Sequence, residues 1–325
     1  MMINKDELLR LLIRSNGYVS GSEIASIFAV SRNAVWKAVK QLSEAGIIID
    51  SKPNMGYKLA NSINVINKIV LEEKINDNFF DIEVFDSLPS SSTYLKEKHE
   101  LFNNGKVVFA RYQSAGKGRM NRSFYSPKDS GLYFSILVKP NINVNKSVYL
   151  TVLSAVSVYE AILELANIEV GIKWVNDLYK DGKKIVGILA EGGIDFSYNT
   201  LSYCVIGIGI NVYKPVGGFG KDLENIAGFL FDDHKYNIND LACLVLKYFK
   251  KHYIELLNDD YSFCVKYKEK QILIDKEVES LNLVTKEKEV VKVIKVNDDC
   301  SLQVIDKEGI IKNLNSGEVR LIINK

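Results

Sequence analysis

The spacing of apolar residues changes twice along this chain of 325 residues. In residues 1–60 apolar side chains recur at helical spacing, and from Asp81 to about Tyr213 strand-like and helix-like stretches alternate. Five short strand-like stretches follow after residue 275. Helical spacing of apolar residues indicates helices, and strand-like spacing indicates sheets. The chain is therefore predicted to combine a helical part, a mixed α/β part and a small β part.

The predicted fold class is therefore α+β, with domains at 1–62, 63–272 and 273–325. Residues 61–75 are predicted to form a connecting helix, and no stretch there is rich in Gly, Pro or Ser, so the parts are expected at defined distances. The five strands after residue 275 predict a small β-barrel, with a simple packing module as the alternative.

Composition argues against several classes of protein. With 42 Lys+Arg against 40 Asp+Glu and 47% apolar residues, wholesale disorder, a coiled coil and a polybasic coat for nucleic acid are all unexpected. Neither a membrane span nor a secretory signal is expected, because no run of eighteen apolar residues occurs and charges interrupt the N-terminus. Four distant cysteines without a CxxC motif argue against zinc and indicate a cytoplasmic protein.

The positive charge is concentrated in the first sixty residues. They hold eight Lys/Arg and five Asp/Glu, a net charge of +3. The remaining residues hold 34 Lys/Arg and 35 Asp/Glu, a net charge of −1. Their pattern predicts three helices and a hairpin: a first helix ended by Gly17, a second around Ile24–Phe28, and a third capped by Ser31 on which Val35, Val39 and Leu42 face inward. This is the arrangement of a winged helix-turn-helix.

Several polar residues of this segment are candidates for DNA contacts. Arg32 and Asn33 suit base edges, whereas lysines suit phosphates. The predicted DNA-binding residues are Ser31, Arg32, Asn33, Lys37, Lys40 and Lys52. A helical protein-interaction domain with a solvated basic face is the alternative. Because +3 is modest, a dimer that reads two half-sites is the expected DNA-binding form.

A basic, glycine-containing loop follows a predicted strand at Arg111–Arg122. It combines Gly116 and Gly118 with cationic side chains, which lets backbone N–H groups approach an anion while the cations neutralise it. It fits neither the Walker A nor the GxGxxG pattern. The two interpretations are a phosphate-binding loop and a solvated basic loop.

Three further segments stand out in the mixed part. Lys173-Trp-Val-Asn-Asp177 offers groups for Mg²⁺, a ribose or a phosphate, with an ordinary turn as the alternative. Gly182–Glu191 places Lys184 at the start of an apolar strand, with a surface hairpin as the alternative. Gly207-Ile-Gly-Ile-Asn211 has alternate glycines, which predicts close packing on one face of a strand.

Together these segments resemble the biotin–protein ligases, and more closely the bifunctional type that also represses the biotin operon. The family's GRGRxGR occurs as Gly116-Lys-Gly-Arg-Met-Asn-Arg122, and its KWPND as Lys173-Trp-Val-Asn-Asp177. Its KxxGILxE occurs as Lys184-Ile-Val-Gly-Ile-Leu-Ala-Glu191, and its GIGIN is unchanged at Gly207–Asn211. Lys117, Asn121 and Val175 depart from the family's Arg, Gly and Pro.

The resemblance implies a fold and a two-step reaction. The fold is an N-terminal winged helix-turn-helix, a central mixed-sheet catalytic domain like those of class II synthetases, and a C-terminal SH3-like β-barrel. Biotin and ATP form biotinyl-5′-AMP with Mg²⁺, and a lysine of the biotin carboxyl carrier protein of acetyl-CoA carboxylase then takes the biotinyl group. No enzyme nucleophile is needed. Biotinyl-5′-AMP would also act as corepressor, so that a homodimer binds double-stranded operator DNA.

The resemblance also implies roles for individual residues. Arg119, Lys184 and Asp177 would be catalytic, with Asp177 near the metal. Biotin would contact Ser90, Ser91, Ser92, Gln113, Gly116, Lys117, Gly118, Arg119, Lys184 and Gly187. ATP or the adenylate would contact Lys117, Arg119, Arg122, Lys173, Asn176, Asp177 and Asn211, and Phe124 is a candidate for stacking on adenine. A lipoate–protein ligase and a non-enzymatic biotin-sensing repressor remain as alternatives.

Overall fold

The computed structural model describes residues 3–15, 17–60, 65–282, 285–315 and 319–323; the side chains of residue 121 and of residues 319–323 are outside this description. The predicted connecting helix begins later than expected, as α4 (Lys68–Ile75), because Asn67 caps its first turn through Val70 N at 3.2 Å. Residues 61–64 of that prediction lie outside the described residues.

The N-terminal part has the predicted three helices and hairpin. They are α1 (Lys5–Arg14), α2 (Gly21–Ile27), α3 (Arg32–Glu44), β1 (Ile49–Lys52) and β2 (Gly56–Leu59). Ser31 caps α3 as predicted, and Val35, Val39 and Leu42 are buried. The prediction that Gly17 ends α1 is wrong, because Ser15 already takes extended backbone and its hydroxyl bonds back to Leu11 O at 2.7 Å.

The central part is built on one mixed eight-stranded sheet in the order β3-β4-β5-β10-β9-β8-β7, with β6 also paired to β10. Its strands are β3 (Asp81–Phe85), β4 (Lys106–Ala110), β5 (Gly131–Val138), β6 (Ile142–Asn143), β7 (Gly171–Lys173), β8 (Asp177–Lys180), β9 (Lys183–Asp195) and β10 (Thr200–Asn211). The β3–β4 pair is parallel and the other pairs are antiparallel, which confirms the predicted mixed sheet.

Helices cover both faces of this sheet. Along β4, Val107 and Phe109 belong to the large core, whereas Val108 packs on the opposite face with Leu95 of α5 (Ser91–Glu97). The large core also contains α6 (Ser147–Ala166) and α7 (Ile238–Leu257), next to the short α8 (Phe263–Glu269). On the opposite face, α5 ends at Glu97, and a 3₁₀ turn follows at His99–Leu101.

Among the described residues, one helix has the length and apolar composition that a membrane span requires. It comprises Val144–Ala166, which is α6 with the short turn before it, and 61% of its most apolar window is buried within the protein. Its buried side chains pack in the core against α7. A core helix passes the same test of length and composition, and α6 has that position here.

The C-terminal part is a five-stranded antiparallel sheet in the order β14-β13-β12-β11-β15. Its strands are β11 (Glu277–Asn282), β12 (Lys288–Val296), β13 (Leu302–Ile305), β14 (Ile311–Leu314) and β15 (Val319–Ile323). Each of the five predicted strands is present, and Val278, Val293 and Leu302 share the large core. Closure into an SH3-like barrel stays a prediction.

Ion pairs join the N-terminal part to the rest through α4. Arg14 of α1 binds Glu73 with two bonds of 2.7 and 2.9 Å, and Arg10 reaches the same carboxylate at 2.5 Å. On its other side, α4 is tied to α7, where Asn67 N donates to Asn239 Oδ1 at 2.9 Å. Defined contacts through α4 therefore hold the helix-turn-helix against the rest of the protein.

Candidate active site

A cavity of about 590 Å³ opens over the middle of the central sheet. All but one of the predicted biotin and ATP residues line it: Ser90, Ser91, Ser92, Gln113, Lys117, Gly118, Arg119, Arg122, Lys173, Asn176, Asp177, Lys184, Gly187 and Asn211. Gly116 lies behind its wall, where a Cβ atom would come within 2.4 Å of Phe124 O. Its lack of a side chain lets the loop fold back on itself.

Neutral hydroxyl and amide groups form one region of the cavity. Ser90 caps α5, and Ser91 donates to Gln113 Oε1 from both its backbone N (2.8 Å) and its hydroxyl (3.1 Å). The hydroxyls of Ser91 and Ser92 lie 2.8 and 2.9 Å from Ser135 Oγ. Uncharged donors and acceptors of this kind match a neutral polar ligand group.

Ser135 is a member of this network that the sequence reasoning missed. It lies in the middle of β5, a strand whose residues are all buried. The available signal was the single serine in Gly131-Leu-Tyr-Phe-Ser-Ile-Leu-Val138, because a buried hydroxyl needs a partner.

Alternate glycines on β10 admit two side chains to the floor of the cavity. A Cβ at Gly207 would lie 2.4 Å from Ser92 Oγ, and one at Gly209 would lie 2.5 Å from the Phe124 ring. The predicted close packing on this strand is thus confirmed. Because Gly207 and Gly209 are two residues apart, the serine region and the Phe124 ring lie next to each other along β10, about 7 Å apart.

The basic loop folds over the cavity. Gly118 N donates to Arg122 O at 2.7 Å and Phe124 N donates to Gly116 O at 2.8 Å, which closes the loop into a tight hairpin. Met120 has a left-handed φ of 59° at its tip. Arg119 reaches from the loop to the sheet, where it donates to Asn176 Oδ1 at 3.2 Å.

The Lys173–Asp177 segment is the turn between β7 and β8, in which Lys173 is paired with Asp177. Asn176 fixes this turn to β9, because its side chain donates to Ile188 O at 2.7 Å and its carbonyl accepts from Ile188 N at 3.0 Å. The Trp174–Val175 peptide is cis. Asn176 therefore joins the basic loop, the turn and β9.

Asp177 and Lys184 form an ion pair in the cavity, with Nζ 2.6 Å from Oδ1. This oxygen is buried, and the contact is electrostatic rather than an aligned hydrogen bond. Gly187 lies beside the pair, since a Cβ there would be 3.2 Å from Lys184 Nζ. Asn211 is at the far end of β10, where its side chain donates to Gly228 O at 3.0 Å.

The electrostatics of the cavity favour an anionic ligand. Five cationic residues line it, and Asp177 is the one carboxylate among the described residues that do so. Burial lowers the pKa of Arg119 and of Lys173 from their usual values, and the nearby Asp177 carboxylate partly offsets this effect. Burying a cationic side chain is costly unless an anion pairs with it, so these residues favour the binding of a phosphate group.

Aromatic and apolar residues complete the wall. The sequence reasoning named Phe124 but missed Trp174, Tyr179 and the stretch after residue 213, which contributes Phe219, Leu223 and Ile226. That stretch has no helical or strand-like periodicity from which its position could be predicted. A flat apolar wall beside a cationic region suits an aromatic base attached to a phosphate.

The predicted DNA-binding residues form a separate exposed surface. Arg32, Asn33, Lys37 and Lys40 are exposed on α3, and Lys52 lies on the hairpin with its Nζ 5.0 Å from the Tyr18 ring. Some are already engaged: Arg32 donates to Ser22 Oγ, and the Ser31 hydroxyl caps the helix. Trp36, 53% exposed among them, is an additional candidate that the sequence reasoning did not name.

Comparison with known proteins agrees with this two-site organisation. The Biotin/lipoate A/B protein ligase family matches residues 84–211, and an HTH domain family matches residues 4–58. The chain is 31% identical to the bifunctional ligase/repressor BirA of Bacillus subtilis, over 79% of this chain and 81% of that protein. It is 25% identical to BirA of Escherichia coli over 99% of this chain and 98% of that one.

A solved structure agrees as well. The biotin protein ligase from Aquifex aeolicus in complex with biotin and ATP superposes with a TM-score of 0.62 and 26% identity. The match covers 75% of this chain and 99% of that chain.

Proposed function

The chain belongs to the family of bifunctional biotin–protein ligases and repressors, and we propose that it joins biotin to ATP and passes the biotinyl group to a protein lysine. It is a biotin–[acetyl-CoA-carboxylase] ligase with an N-terminal helix-turn-helix repressor domain. The observation that carries the proposal is one cavity with neutral hydroxyls against Gly207 and a cationic group around the Lys184–Asp177 pair.

Biotin would bind with its ureido ring at Ser90, Ser91, Ser92 and Gln113, where neutral donors and acceptors are available. Its chain would lie over Gly187 and the backbone of Lys117 and Gly118. The carboxylate would then be near Lys184, which Asp177 holds in place through the 2.6 Å ion pair. This arrangement brings the nucleophilic oxygen to the cationic part of the cavity.

The ATP phosphates would be held by Lys117, Arg119, Arg122 and Lys173, with Asn176, Asp177 and Asn211 close by. The biotin carboxylate attacks the α-phosphorus, and pyrophosphate leaves. Positive charge around the crowded anionic transition state and fixed positions of the two reactants supply the catalysis. In the second step, the carrier lysine attacks the mixed anhydride and AMP leaves, with Asp177 placed to orient the incoming amine.

Mg²⁺ is the expected partner of the ATP phosphates. It is commonly bound through one or two carboxylates together with substrate phosphates, and Asp177 is the one carboxylate among the described residues that line the cavity. The donor set therefore fits the ion, with Asp177 as the ligand and Asn176 beside it. When bound, Mg²⁺ would neutralise charge on the phosphates.

For repression, we propose that biotinyl-5′-AMP acts as corepressor. The loop at residues 116–122 would order over the adenylate, and a homodimer would then present two α3 helices to a palindromic operator. Ser31, Arg32, Asn33, Lys37, Lys40 and Lys52 would contact the DNA. We further propose domain boundaries at 1–62, 63–272 and 273–325, and a cytoplasmic location in keeping with four free cysteines.

Labelled biotin and labelled lipoate, each offered with ATP, Mg²⁺ and the carrier protein, separate this proposal from lipoate ligation. We expect transfer of biotin alone. A non-enzymatic biotin sensor would bind biotin but release no pyrophosphate, and preferential transfer of lipoate would overturn the substrate assignment.

A further inference from the structure

Two cysteines from different parts of the fold lie in contact. Cys264 lies on α8 and Cys300 lies just before β13, and their sulfur atoms are 3.9 Å apart. Both side chains are buried, with exposed fractions of 4% and 1%. A disulfide would need the sulfurs to approach by about 2 Å, a shift that the two chain segments can share.

A second, smaller cavity leads to this pair from the surface. Its volume is about 350 Å³, and it is lined by Tyr149, Tyr261, Cys264, Val265, Lys268, Asp298 and Asp299. Cys264 lines this cavity, and Cys300 is not among the described residues that do so. A small oxidant would therefore reach Cys264 first.

The directions of the two pKa shifts favour the same order of reaction. The hydrogen bond from Cys300 lowers the pKa of Cys264, with burial opposing and Lys268 assisting, and the same pairing raises the pKa of Cys300. A thiolate is the reactive form of cysteine. Elsewhere in the core, burial raises the pKa of Cys204 and of Cys243 to about 12 in each case.

We propose that Cys264 and Cys300 are a peroxide-sensitive modification site whose reversible disulfide ties the C-terminal sheet to α8. Hydrogen peroxide oxidises the Cys264 thiolate to a sulfenic acid and releases hydroxide. The Cys300 thiol then attacks that sulfur, and its proton and the sulfenic hydroxyl leave as water. In sum, two thiols and one peroxide give one disulfide and two waters.

Both cysteines are connected to the turn that carries Asn176 and Asp177. The carbonyl of Cys300 accepts a hydrogen bond from Trp174 Nε1 at 2.9 Å. On α8, Tyr267 OH donates to Val175 O, also at 2.9 Å. A disulfide would draw Cys300 toward α8. Trp174, which is bound to Cys300, would then shift relative to Val175, which is bound to Tyr267, and the turn would be displaced.

Oxidation is accordingly expected to slow adenylation. A displacement of about 1 Å in a positioning element can cost up to about 100-fold in rate. We expect a loss of roughly tenfold in biotin-dependent pyrophosphate release, restored by dithiothreitol. This kinetic part rests on the proposed function, whereas the covalent part does not.

The test treats the full-length protein with hydrogen peroxide and maps its peptides by mass spectrometry without reduction. We expect a linked Cys264–Cys300 peptide, lost on reduction and absent from Cys264→Ser and from Cys300→Ser. The matched controls Cys204→Ser and Cys243→Ser should form it as the parent does. Oxidation spread over all four cysteines, or a terminal sulfinic acid at Cys264 without the link, would overturn the proposal.

Pyrophosphate release is then measured on the same samples before and after oxidation. The parent and the two controls should lose activity reversibly, while the Cys264 and Cys300 variants keep theirs. A linked peptide with unchanged activity would refute the coupling to the Trp174 turn. A reduced protein without any activity would instead refute the proposed function, and the peptide map would still decide the thiol chemistry.

Discussion

At the scale of single residues, Arg119 connects the basic loop to the turn between β7 and β8. Arg119 belongs to the basic loop and donates a hydrogen bond to Asn176 on the turn after β7. Burial of the guanidinium lowers the pKa of Arg119. An anionic adenylate would satisfy that charge and be retained by it. Arg119 is thus better placed to hold the intermediate than to carry out a bond-making step.

Arg119→Gly should leave the fold intact and release biotinyl-5′-AMP into solution. We expect about tenfold or more adenylate in the filtrate, since the loss of a charged hydrogen bond of about 1.5–3 kcal/mol corresponds to roughly that factor. Non-carrier proteins should then become biotinylated. Arg119→Lys, which keeps the charge but loses the planar donor set, is the matched variant and should release less. Labelling confined to the carrier would refute the role.

Gly209 offers a steric test of the cavity floor. A Cβ atom there would come within 2.5 Å of the Phe124 ring, so Gly209→Ala must displace that ring into the cavity. We expect kcat/KM to fall about tenfold, equivalent to about 1.4 kcal/mol. Adding Phe124→Ala should recover part of the loss in a double-mutant cycle.

Gly17→Ala is the control, because no atom lies within 4 Å of a Cβ there. If Gly209→Ala binds and adenylates biotin as the parent does, or if Phe124→Ala only worsens it, the Phe124 ring does not form this wall.

At the scale of elements, a buried His252 joins the two long core helices. Its ring nitrogens lie 2.6 Å from Glu255 on its own helix α7 and 2.6 Å from Glu160 on α6. Burial acts to lower the pKa of His252, but the hydrogen bonds to the two carboxylates outweigh it, and the net shift is upward from 6.5. Charged His252 is therefore stabilised by the folded state.

The sign of the resulting pH dependence follows from this shift. A raised folded-state pKa gives stability that is fully present below 6.5 and is lost as the pH rises through the raised value. The free energy of unfolding in urea should fall over that range relative to His252→Gln, which cannot titrate. Parallel curves for the parent and the variant, or a difference that grows with pH, would show that the histidine is neutral in the folded protein.

Secondary structure followed from the sequence wherever apolar spacing was strong, as in α3 and the five C-terminal strands. Two boundaries were wrong for local reasons: Ser15 ends α1 by bonding back to the helix, and Asn67 starts α4. The cavity residues were predicted through short motifs. Ser135 and Phe219 were missed because their positions depend on strand pairing and on an irregular loop, which local periodicity does not report.

At the scale of the whole molecule, the helix-turn-helix and the ligase part are physically distinct. The first has its own apolar cluster from Leu8 to Val70, and the C-terminal sheet shares the large core of the ligase part. The connection runs through α4, where Glu73 accepts from Arg10 and Arg14. Binding of DNA and chemistry on biotin should therefore be separable by truncation.

Deletion of residues 1–60 should abolish operator binding and leave adenylation within about threefold of the full chain. Some loss of solubility is expected, because Val70 loses its apolar neighbours. Lys37→Ala with Lys40→Ala in the full chain is the matched control, which should weaken DNA binding without moving any residue of α4. Loss of adenylation in the truncated protein would contradict the independence of the two parts.

The most direct test of the central claim is made without carrier protein. Purified protein, biotin, ATP and Mg²⁺ should give one equivalent of biotinyl-5′-AMP and pyrophosphate, with no biotin covalently attached to the enzyme in the denatured complex. Lys184→Gln, which removes the cation from the Asp177 pair, should lower this yield about 100-fold or more. Absence of the anhydride with the parent protein, or a covalent biotinyl-enzyme in its place, would contradict the account.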